Sequence, residues 1–302
     1  MTPVAVLITI ASYFLILFTI SYIAGRKADN EGFFVGNRKS AWYVVAFAMI
    51  GSSISGVTFV SVPGMVGISN FSYLQMVLGF VTGQIIIAFV LIPLFYRMNL
   101  VSIYEYLENR FGTSSYKTGA WFFFISKILG AAVRLYLVCL TLQLLVFEPF
   151  HMPFIMNVIL TVALVWLYTF RGGVKSLIWT DSLKTFCLIV SVVLCIYYIS
   201  TDLKLSFTEM FSTVSDSALS HMFFFDNVND KRYFFKQFLA GVFTMIAMTG
   251  LDQDMMQRNL SCKNFKDSQK NMITSGISQF FIILLFLMLG VLLYTFTSHQ
   301  GI

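Results

Sequence analysis

From Gly51 to Gly56 the chain reads Gly-Ser-Ser-Ile-Ser-Gly, so five of six consecutive residues are glycine or serine. Those residue types can hold a hard cation. Such a cation takes oxygen ligands, and serine hydroxyls with backbone carbonyls supply them without adding charge. Gly51 and Gly56 permit irregular backbone angles, and Ser52, Ser53 and Ser55 bring hydroxyls. A plainer reading fits the same residues, because glycine and serine also let two helices approach closely. Pro63 and Gly64, one to two turns on, predict a second weakening of the same segment.

A second irregular stretch, Met248 to Arg258, places a glycine and the acids Asp252 and Asp254 near the end of an apolar run. No other grouping suggests chemistry. The cysteines at 139, 187, 195 and 262 lack metal-type spacing and read as inert thiols. Histidines 151, 221 and 299 fall in connecting or terminal segments. No phosphate-cradling loop or catalytic triad pattern is present, so an enzyme is not expected.

The elements that must carry these residues follow from composition. The chain is 58% hydrophobic and 11% charged, with 33 phenylalanines, whereas a soluble domain carries roughly 25% charged residues. A polytopic all-α membrane protein is expected. One transmembrane domain over 1–302 with eight helices is predicted, at about 4–24, 41–67, 73–96, 118–147, 153–170, 178–200, 237–258 and 271–297. The first run has no charged segment before it and reads as a retained span rather than a signal peptide.

Fourteen Lys and Arg residues fall in loops on one side: Arg26, Lys27, Arg38, Lys39, Arg97, Arg110, Lys117, Arg171, Lys175, Lys184, Arg258, Lys263, Lys266 and Lys270. Only Lys204, Lys231, Arg232 and Lys236 fall on the other. The net charge of +6 is thus read as a positive-inside bias rather than a nucleic-acid surface, with the N-terminus outside. Lys127 and Arg134 lie within the fourth span, seven residues apart and so on one helix face. They either snorkel to an interface or line a water-filled interior. Asp252, Asp254 and Arg258 read as a charge cluster at the membrane surface.

The two weak points lie in the second and seventh spans, five apart, as an inverted five-helix repeat requires, and such paired breaks point to a transporter's binding site. At this point four blocks resemble the sodium:solute symporter family: Phe33–Gly64, Leu100–Gly112, Tyr168–Phe186 and Leu251–Lys270. The resemblance spans the chain. It implies a leucine-transporter-type helical bundle in which one extra helix precedes a complete first repeat and a partial second. It also implies that a sodium ion is held by the carbonyls of Gly51 and Ile54, with Ser55 close by and Ser53 beside them, and that hydroxyls of a ninth helix beyond Ile302 complete the site. Asp181 would lie near the inward sodium path, or else cap its helix. Met248 stands near the family's aromatic gate, and Gln75, Gln84 and Gln279 are polar groups inside spans that could touch solute or bond helices together. Ser53 and Gln279 stand where relatives that carry proline or sugars have other residues, which argues against those solutes.

The expected function is sodium-coupled symport of a small polar organic solute by alternating access. Sodium is the coupling ion and no cofactor is expected. The expected partners are the solute, Na⁺, the lipid bilayer and the remaining helices as a separate chain, without nucleic acid. An inner or plasma membrane location follows. A non-transporting remnant or sensor-like module of the same fold is the alternative, and a sodium-independent or proton-coupled permease a third reading.

Overall fold

The computed structural model describes residues 3–25, 40–100, 102–169 and 173–300, and every regular element among them is a helix. Arg26, Lys27, Arg38, Lys39 and Arg171 from the basic side lie outside the described residues, as do 33–39 of the first family block, 170–172 of the third and the side chain of Lys175.

Two compact units are formed. One comprises Met1–Ser40 and Leu100–Thr180. It contains α1 (Pro3–Gly25), and its further helices are numbered once the intervening ones are given. The other comprises Ala41–Asn99 and Asp181–Ile302. It begins with α2 (Trp42–Ser53), α3 (Gly56–Ser69), α4 (Tyr73–Ile86) and α5 (Ile92–Arg97). The first unit resumes with α6 (Ile103–Phe111), α7 (Thr113–Leu142) and α8 (Phe154–Thr169). Helix α9 (Gly173–Asp202) passes into the second unit at Asp181. That unit then contains α10 (Phe207–Asp216), α11 (Phe234–Met245), α12 (Gln253–Asn259) and α13 (Phe265–Gln300).

Five described helices are long and apolar enough to cross a membrane, or seven if each of two bent pairs counts as one span. The bent pairs are α2 with α3, at 65°, and α11 with α12, at 73°. The fifth predicted span corresponds to α8, whose 16 residues reach about 24 Å, short of a hydrocarbon core about 30 Å thick.

In the first unit, Ser102 caps α6 by accepting the Tyr104 N–H at 3.1 Å. The chain turns directly into α7 at Gly112, whose φ of +86° suits a residue without a side chain. A π-helical turn, Gln143–Phe147, ends the span of α7. Asn157 on α8 donates to the Cys139 carbonyl at 2.7 Å and to Gln143 at 3.2 Å, a polar tie between otherwise apolar helices. Arg134 is exposed within α7, and Lys127 lies over the Phe123 ring at 5.4 Å.

In the second unit, α4 and α11 pack most closely. A Cβ on Gly79 or Gly241 would come within 3.0 Å of the opposing backbone carbonyl, Phe238 or Met76 respectively. Two π-helical turns, Ile87–Leu91 and Ile246–Gly250, meet where Gly250 packs against Ile87 and Leu91. The weakening expected at Pro63 does not break α3, which runs through it from Gly56 to Ser69. Packing explains this. Gly290 of α13 lies directly on Pro63, and the Tyr294 hydroxyl donates to the Gly64 carbonyl at 3.0 Å, so α13 braces this part of α3 from outside.

Candidate functional site

The span through Gly51–Gly56 is broken at Ile54 and Ser55, both of which are extended. The cause is local. Ser55 Oγ accepts the Thr58 N–H at 3.4 Å, and Thr58 Oγ1 accepts the Ser55 N–H at 3.2 Å, a reciprocal cap that starts α3. In a continuous helix those two amides would donate to the carbonyls four residues back, Ile54 and Gly51. The cap therefore diverts the helical donors of the same two carbonyls that the family resemblance singled out. The ladder resumes with Phe59 N–H to the Ser55 carbonyl at 3.2 Å. The Ser53 hydroxyl donates back to the Met49 carbonyl at 2.9 Å, so its lone pairs, not its proton, face any ligand, while the single Ser52 proton lies between the Ala48 carbonyl and Asp181 Oδ2, each at 3.1 Å.

Gly51 also satisfies the close-packing reading. A Cβ there would come within 3.0 Å of Thr185 Oγ1 and the Asp181 carbonyl on α9. Thr185 Oγ1 in turn donates to the Phe47 carbonyl at 2.7 Å. Gly56 differs, since a Cβ there would meet nothing within 4 Å. One glycine is needed for contact, while the other is free of it.

Asp181 is buried on α9 and accepts three donors. Lys184 Nζ reaches Oδ1 at 2.9 Å, Ser52 Oγ reaches Oδ2 at 3.1 Å, and Arg258 Nη1 reaches the same Oδ2. Eight residues of α9 precede Asp181, so it does not cap that helix. The surface cluster expected for Asp252, Asp254 and Arg258 is present as the Asp254–Arg258 pair and corrected for the other contacts. Asp252 caps α12 by accepting the Met255 N–H at 3.1 Å, and Asp254 pairs with Arg258 Nε at 3.2 Å. The Arg258 side chain is only 9% exposed and crosses to Asp181.

Sequence reasoning did not join Arg258 to Asp181, because 77 residues separate them. It also missed Thr58, although Ser-x-x-Thr after an apolar run is a readable variant of the capping signal.

The candidate solute residues are dispersed. Gln75 is fully buried and occupied by backbone. Its Nε2 donates to the Arg232 carbonyl at 2.8 Å and to the Ser72 carbonyl at 3.3 Å, and its Oε1 accepts the Phe224 N–H at 3.1 Å. It staples the segment before α11 onto the start of α4. Arg232 belongs to the same staple. It donates to Asn70 at 3.1 Å, stacks over Phe224, and by hydrogen bonding holds the Asp230 carboxyl below its ordinary range. Gln75→Leu strands the Phe224 amide and the Arg232 carbonyl, so about 1–3 kcal/mol of local stability is expected to be lost. Faster amide exchange over 221–233 is the measurement; unchanged exchange would show that the staple is not holding that segment.

Met248 sits on the π-helical turn that precedes the second break and is 63% exposed. Gln279 is buried on α13. Gln84 is buried against Gly276, and its Oε1 has no hydrogen-bond partner among the described residues.

The profile of the sodium:solute symporter family matches residues 33–300. The chain belongs to that family. Among curated members it is similar to the sodium/sialic acid symporter of Aliivibrio fischeri, 26% identical over 293 residues that cover 92% of this chain and 55% of the relative. Human sodium-coupled monocarboxylate transporter 2 is 25% identical over 272 residues, covering 89% and 43%. The human sodium/iodide cotransporter is 24% identical over 277 residues, covering 90% and 42%. The chain thus spans about half the length of the curated relatives it matches. A solved Na⁺-coupled sialic acid symporter, captured substrate-bound and outward-open, superposes with a TM-score of 0.83 at 21% identity, covering 96% of this chain and 61% of that one. Family and structure together establish the all-α, leucine-transporter-type fold of an integral membrane protein. The family and its members are transporters, not enzymes.

Proposed function

We propose that this chain provides the cation-binding first half of a sodium-coupled symporter for a small organic anion. The observation that carries the reading is the reciprocal Ser55–Thr58 cap, which takes the helical amides away from Gly51 and Ile54. In a membrane span, a carbonyl without its amide must find another partner, and a sodium ion is a suitable one. Ser53 and Ser55 offer nearby hydroxyl lone pairs, and Asp181, already held by Lys184, Ser52 and Arg258, lies one helix away. Sodium bound at the break would favour the conformation in which the break is open to it, and only such differential binding can couple the ion to solute movement.

An anionic solute is supported by three of the matched relatives, which are named for sialic acid, monocarboxylates and iodide. Gln84, Gln279 and Met248 are the remaining candidate solute contacts, while Gln75 is spent on backbone. The basic-residue bias supports an N-terminus outside, and the reading includes a plasma or bacterial inner membrane. No cofactor is required.

The test is ²²Na⁺ binding to the chain in lipid nanodiscs, wild type beside Ser55→Ala with Thr58→Val. That variant removes both partners of the cap and is expected to return both amides to Gly51 and Ile54. Saturable binding by the wild type and its loss in the variant are expected. Equal binding by both forms would sink the assignment of these carbonyls, and binding by neither would show that this chain's groups do not hold the ion unaided.

A further inference from the structure

We propose that Arg258 is a positioning residue that joins the two bent spans through one oxygen of Asp181, so that the two breaks change conformation together. Asp181 Oδ2 accepts from Ser52 at the end of α2 and from Arg258 near the end of α12. Each of these helices is the short limb of a bent pair. The third donor, Lys184, holds the other oxygen from a side chain that is 46% exposed.

A seven-residue helix such as α12 does not persist by its own hydrogen bonds. It is held at two adjacent residues. Arg258 is tied to α9 through Asp181, and Asn259 is tied to α13 by Asn271 Nδ2 at 2.6 Å and Ser268 Oγ at 3.0 Å. Asp254 keeps the guanidinium on α12 by pairing with Nε. The shared oxygen makes the two limbs dependent on each other. If Arg258 withdraws, the carboxylate loses its buried counter-charge and reorients, and the Ser52 bond is lost with it. If Ser52 withdraws, Oδ2 is held from one side only.

The device concerns the coupling of the two breaks and does not require the chain to bind sodium. Its test is therefore hydrogen–deuterium exchange of the full chain in nanodiscs in sodium-free buffer, where failure of sodium binding would leave the result readable. Ser52→Ala leaves every charge in place. It is expected to give several-fold faster exchange over 42–53 and also over 253–259, with 113–142 as in the wild type. The double variant Asp181→Asn with Arg258→Gln leaves no buried charge unpaired, so it keeps the chain folded and is expected to loosen the same two limbs. A rise confined to 42–53 in the first variant would overturn the proposal. So would a rise confined to 253–259 in the second, or an equal rise across 113–142 in either.

Discussion

Gly241→Val is expected to destabilise the second unit by about 3 kcal/mol or more. Gly241 and Gly79 face each other where α11 crosses α4, and a Cβ on either would fall within 3.0 Å of a backbone carbonyl on the other helix. A side chain at the contact could rotate away, but a carbonyl in a helical ladder cannot. The helices must separate, and the neighbouring contacts of Gly83 with Met245 and Val242 separate with them. Overpacking a well-filled site costs roughly 1–3 kcal/mol, and a collision with backbone belongs at the top of that range or above it. Thermal unfolding in detergent is the measurement, with Gly56→Ala as control. A Cβ at Gly56 meets nothing within 4 Å, so that variant is expected to melt like the wild type. Equal melting temperatures for Gly241→Val and the wild type would mean that α4 and α11 leave room for a side chain at their crossing.

Removing Arg258 alone is expected to have the second large effect. Arg258→Met leaves Asp181 buried, with its side chain 6% exposed and Lys184 its remaining cation. Breaking a buried ion pair by removing one partner costs about 3–5 kcal/mol, because the other charge is left without compensation. Removing both partners is much less costly for the same reason. Arg258→Met combined with Asp181→Asn should therefore recover much of the stability lost in the single variant. A melting-temperature cycle over the four forms reads this directly. Additive losses would show that the two groups act independently and that the contact between them contributes little.

Much of this architecture was legible along the chain. The apolar runs, the glycine and serine residues at 51–56 and the irregular stretch at 248–258 are local features, and the breaks appear at Ile54–Ser55 and before α12. Breaks of this kind are encoded by residues within one or two turns, which is why pattern reading reaches them. Pro63 shows the limit of that reading. Its missing amide is local, but whether α3 breaks there depends on what packs beside it, and Gly290 with Tyr294 supports the turn from a helix more than two hundred residues away.

The same limit separates the two parts of the candidate site. The sequence by itself determined that the chain is a helical membrane protein and that a weak point lies within 51–56, because hydropathy and glycine and serine content act over a few residues. Only the tertiary structure decided that Gly51 packs on α9, that Gln75 is spent on a staple, and that Asp181 and Arg258 form one buried pair. Those outcomes depend on which helix faces which, and side chains 77 residues apart carry no local signal of their contact.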